Sequence, residues 1–109
     1  MLKWLYPWEK LYFACSVAIG SAQRPQERLR AAAQDVSLLL HHEIRDEELR
    51  RRMEQFVANC NSKPSQGEGT LPATTSQMSD DEASDLLREL LDIFARVAEL
   101  QALEAQHLH

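Results

Sequence analysis

The chain has 109 residues, 44% of them hydrophobic and 27% charged, a balance that suits one small globular domain and is too apolar for a disordered segment. Its formal charge of −5 is unevenly spread, since residues 64–109 carry Arg88 and Arg96 against nine carboxylates while the preceding residues are close to neutral or basic. An acidic last third repels phosphate backbones and anionic lipid heads, which argues against non-specific nucleic-acid binding and against docking on an anionic membrane.

The first segment, MLKWLYPWEKLYFACSVAIG, holds five of the seven aromatic residues and ends in a ten-residue uncharged run. Ten residues are about half the ~20 that a bilayer-spanning helix needs. As a signal peptide the segment is poor, because Glu9 and the bulky Trp4, Tyr6 and Trp8 sit where a short basic leader belongs. The expectation is therefore a cytoplasmic protein. Trp4, Trp8, Leu11, Tyr12, Cys15, Ala18 and Ile19 follow helical spacing on one face, and Phe13 and Val17 lie on the opposite one. Pro7 suits a first helical position and Gly20 an end, so the spacing predicts a helix over 7–21 that is apolar nearly all round, the central helix of a bundle or one shared with a partner.

The start chemistry Pro7-Trp8-Glu9-Lys10-Leu11 recurs as Pro25-Gln26-Glu27-Arg28-Leu29 and predicts a second helix over 25–43, with Leu29, Ala32, Ala33, Val36, Leu39 and Leu40 facing inward. A third helix over 46–60 follows from Asp46 as N-cap, Glu47 and Glu48 in the first turn, and the stripe Leu49, Met53, Phe56, Val57 and Cys60. Leu29 and Leu49 fall roughly 200° apart on a continuous rod, so a turn near Ile44 to Asp46 separates the two helices. Residues 61–78, rich in Gly, Pro and small polar residues, read as a flexible linker with almost nothing to bury. The last helix, 80–106, opens on the capping box Ser79-x-x-Glu82. It carries two apolar seams: Leu86, Leu90, Ile93, Val97 and Leu100, and beside them Leu87, Leu91, Phe94 and Ala98.

The chemistry-bearing residues do not assemble into a site by spacing. Two ligands for one metal on a helix need i, i+3 or i, i+4 separation, and His41-His42-Glu43 lacks it. Arg50-Arg51-Arg52 would suit a helix-turn-helix reading of the second and third helices, with the arginine helix in a DNA groove, but Glu47, Glu48 and Glu54 stand at i, i+4 spacing to neutralise it. Cys15 and Cys60 show neither CxxC nor zinc spacing and read as buried small apolar residues. No glycine-rich phosphate loop, GxSxG or carboxylate pair is evident, so neither enzymatic activity nor a cofactor is expected.

The expectation that remains is an all-α, four-helix bundle-like single domain with a long flexible loop before its last helix. Its two ends hold more apolar surface than one copy can cover. That surplus points to a non-enzymatic protein–protein interaction module, a homodimer acting as a small regulator, anti-activator or chaperone-like adaptor toward a partner with a basic surface. The candidate interface residues are Leu2, Trp4, Leu5, Trp8, Phe13, Val17, Leu87, Leu91, Phe94 and Ala98.

Overall fold

A computed structural model describes residues 3–20, 22–42 and 44–107, and among these the regular structure is entirely helical. The first helix, α1 (Leu5–Gly20), begins before the proline expected to open it, because Trp4 takes the capping position and its carbonyl accepts the Trp8 N–H at 2.9 Å. Pro7 still falls in the first turn, where a missing N–H costs nothing. In α2 (Pro25–Leu39) proline occupies the expected starting position, but the helix stops short of residue 43. The Arg50 guanidinium donates to the carbonyls of Leu40 and His42, each at 3.3 Å, and so satisfies acceptors that the helix end leaves open.

The turn before α3 (Glu47–Cys60) lies where the phase conflict requires it, and the Asp46 carboxylate accepts the Leu49 N–H at 2.9 Å as an N-cap. The segment expected to be a featureless linker contains a further helix, α4 (Thr70–Thr75), with Ala73, Thr74 and Thr75 buried. Threonine hydroxyls make this possible. Thr74 and Thr75 donate back to the carbonyls of Thr70 and Leu71 at 2.6 and 2.9 Å, while the same oxygens accept the Lys63 N–H at 2.9 Å and the Arg30 Nε at 3.0 Å. Gly69 enters α4 at a φ of 96°, which a side chain would strain. In α5 (Asp80–Gln106) both halves of the capping box form: Ser79 Oγ accepts the Glu82 N–H at 3.1 Å and Glu82 Oε1 accepts the Ser79 N–H at 3.3 Å.

The core is built from Leu11 and Cys15 of α1, Leu29, Val36 and Leu39 of α2, Leu49, Met53, Phe56 and Cys60 of α3, and Leu90, Ile93 and Val97 of α5. The central helix is α2, not the apolar α1: α2 packs on each of the other four, whereas α1 packs chiefly on α2 and α5. The reason is lateral. A helix at the margin of the molecule meets neighbours on one side only, so α1 buries Leu11, Ala14, Cys15 and Ala18 and leaves Tyr12, Phe13, Val17 and Ile19 exposed. No described helix is long and apolar enough to cross a membrane.

Candidate functional site: an apolar groove between α1 and α5

Three contacts fix the alignment of α1 against α5. At one end the Trp4 N–H donates to Glu104 Oε1 at 3.0 Å; in the middle Trp8 and Tyr12 meet Phe94; at the far end Cys15, Ala18 and Ile19 share a cavity with Leu87, Leu90 and Leu91. Rising residue numbers on α1 thus meet falling numbers on α5, and the two helices run antiparallel. Their facing edges form a groove. One turn or two apart on α1, residues 8, 12, 15 and 19 lie within about 60° of arc, which is why they share an edge.

The groove has an aromatic half and an aliphatic half. Trp8 stacks on Tyr12 with ring centres 5.4 Å apart, and Phe94 closes the cluster at 6.5 Å from Trp8 and 6.1 Å from Tyr12. Those separations are ordinary for favourable aromatic pairs. Tyr12 is nonetheless 54% exposed, so the cluster is a floor open to solvent. The aliphatic half is a cavity of about 210 Å³ walled by Cys15, Ala18, Ile19 and three leucines, with Arg28 of α2 at its edge. Ile19 is 69% and Leu91 42% exposed at its rim. Burial pushes the Cys15 thiol up to about 11, so it stays a protonated, apolar wall atom at neutral pH.

The expected interface residues do not share one surface. Trp8, Leu87, Leu91 and Phe94 line or border the groove, and Ala98 is half-buried one turn beyond Phe94 on the same seam of α5. Phe13 and Val17 are exposed on the outer side of α1, roughly 100° or more around the helix from the groove. Trp4 is buried in the core, since its capping position places it in phase with Leu11 and Cys15. Leu5 is half-buried, and Leu2 lies outside the described residues.

Tyr12 and Ile19, which helical spacing puts on one face with Trp8, Leu11 and Cys15, are groove residues, and Arg28 of α2 joins them at the cavity. Their phase, one step past the Leu11–Cys15–Ala18 line, was the available signal.

The other candidates are occupied with structure. Arg52 reaches Glu89 of α5 through Nε at 3.2 Å and Nη2 at 3.0 Å rather than pairing along its own helix, and Arg50 holds the end of α2 as well as Glu54. Of the arginine triplet, Arg51 is the exposed member. His42 packs on Tyr6 with ring centres 4.6 Å apart. Among the described residues no cluster of His, Cys, Asp or Glu could hold a metal ion. A larger hollow of about 370 Å³ near Ser62, Thr74 and Glu82 has a mixed lining that includes Met78 and Leu86, and its Thr74 hydroxyl is engaged in holding α4. Comparison with family models, curated proteins and solved structures finds no match for the chain.

Proposed function

We propose that this protein is a non-enzymatic, cytoplasmic interaction module: a four-helix bundle-like scaffold that forms a homodimer and binds a partner protein as a small regulator or chaperone-like adaptor. The observation that carries the reading is the apolar surface α1 leaves uncovered on both of its free sides. On the outer side Phe13 is 61% exposed with Val17 one turn further on; on the other side lies the groove. Large exposed aromatic and aliphatic side chains clustered on one helix are unusual in a monomer and supply the anchors that interfaces use.

The two surfaces suit different tasks. The outer stripe is convex and would meet its own copy across a two-fold axis. The groove is concave and suits a helix laid along it, read through residues at i, i+3, i+4 and i+7. The acidic charge of residues 64–109 would steer a partner with a basic surface toward the molecule, although several α5 carboxylates are already paired, with Arg24, Arg52, Arg88 and Arg96.

Sedimentation velocity on wild type and Phe13→Asp at tens of micromolar tests the dimer. A dimeric wild type and a folded, monomeric variant are expected. A monomeric wild type overturns the dimer reading, and an unaltered dimer in the variant moves it off the outer face.

A further inference from the structure

The groove carries a guanidinium at one end that forms no ion pair among the described residues. Arg28 sits at the edge of the aliphatic cavity, donates through Nη1 to the Ala18 carbonyl at a long 3.3 Å, and holds its Nε buried without a hydrogen-bond partner. Among the described residues no carboxylate pairs with it. A buried guanidinium nitrogen without an acceptor is costly, and a guanidinium fork matches a carboxylate better than any other common group.

The cavity itself limits what else can enter. Its volume of about 210 Å³ falls below the ~300–1,000 Å³ typical of small-molecule sites. It is on the scale of one anchoring side chain. From Ile19 at the cavity to Tyr12 on the aromatic floor is seven residues, or about 10 Å along α1 at 1.5 Å per residue. Two turns of a second helix cover the same span.

We propose that the groove takes an amphipathic helix from a partner protein, with one aliphatic side chain lodged in the cavity, a second apolar residue two turns away on Trp8, Tyr12 and Phe94, and a carboxylate beyond the cavity anchor held by Arg28. This rests on the reading of the protein as an interaction module and specifies the partner's pattern: apolar at i and i+7, acidic about one further turn past the cavity anchor. Arg28 is the specificity element. Apolar anchors fit many grooves, and the carboxylate fixes which way round the helix lies.

The test is selection from a displayed library of helical peptides on the full-length protein, followed by fluorescence anisotropy with the selected peptide and with versions carrying glutamine or lysine in place of its acidic residue. Selected peptides are expected to share the two-anchor pattern with an acidic residue past one anchor. Neutralising that residue should weaken binding by about tenfold on wild type and hardly at all on Arg28→Gln, while Arg28→Glu should prefer the lysine peptide. Leu91→Asp, at the exposed rim, should block every version. A consensus without the acidic residue overturns the inference, as does equal loss on wild type and Arg28→Gln, or binding that survives Leu91→Asp.

A change of oligomeric state in Leu91→Asp also overturns it, because a second copy would then be the occupant; failure to select any peptide does so too. None of these touches the outer-face dimer, which Phe13→Asp tests separately. Circular dichroism checks each variant's fold. If Arg28→Gln does not fold, the comparison of the three peptides on wild type and their salt dependence decides the same question.

Discussion

Replacing Ile93 or Leu91 with alanine tests the roll of α5, on which the groove depends. Ile93 is fully buried among α5's core-facing residues, whereas Leu91, two positions earlier, is 42% exposed at the groove rim. Truncating Ile93 removes three carbon groups at ~0.8 kcal/mol each, about 2.4 kcal/mol of transfer free energy, before the enclosed cavity is counted. The expected loss is about 3–4 kcal/mol, a large part of the ~5–15 kcal/mol that holds a domain of this kind together. At roughly 4 °C per kcal/mol for a domain near 100 residues, the melting temperature should fall by about 12–16 °C. Leu91→Ala forfeits only the part of its side chain that is covered, about 1.4 kcal/mol, and opens no enclosed void. Alanine's better helix propensity returns a few tenths of a kcal/mol in both variants. Urea titrations followed by circular dichroism, at constant slope, give both numbers. Equal losses, or a larger one for Leu91→Ala, would mean that α5 is rolled differently and that Leu91 belongs to the core.

Ser79→Ala breaks the capping box and should lower stability by about 1 kcal/mol, measured in the same titration; no loss would mean that α5 starts elsewhere. Asp35 is held above the ordinary carboxylate range by burial, with Lys10 only partly offsetting it. Because the fold favours its protonated form, its contribution to stability is lost as pH rises through the folded value. Asp35→Asn should therefore be more stable than wild type at neutral pH, with the difference vanishing in acid; a destabilised variant at neutral pH would put the Lys10 attraction first. Burial pushes the Cys60 thiol up to about 12 and the Cys15 thiol to about 11. Both should react slowly with iodoacetamide in the native protein and rapidly in urea, and prompt native labelling of Cys60 would contradict its burial.

Helix starts were the most legible feature of the chain, since their causes are local. Pro25, Asp46 and the Ser79–Glu82 box each satisfy or spare N–H groups within four residues, so the sequence carries the whole interaction. The roll of α1 was not legible for the opposite reason: a helix apolar on every side has no preferred phase, and the positions of α2 and α5 decide which face is buried. Tyr12 and Ile19 share an edge with Trp8 and Cys15, as their spacing implies, but only the packing shows that this edge stays open to solvent at 54% and 69% exposure. The helix α4 is not legible in the sequence, because threonines and a proline read as loop residues until Asn61, Lys63 and Arg30 supply their distant partners. Arg28 read as half of a repeated start motif, and only the packing of α2 beside α1 turns it toward a cavity.

The hydrogen bond from Trp4 to Glu104 joins residues 100 positions apart. Closing so long a loop costs about 4 kcal/mol of chain entropy, so the α1–α5 seam should zip up after the sequence-local helix pairs have formed. The same proximity means a short tether could join the start of α1 to the end of α5, with new termini cut into the exposed stretch 62–69. Such a permuted chain would make the last contact to assemble one of the first, without altering a single helix.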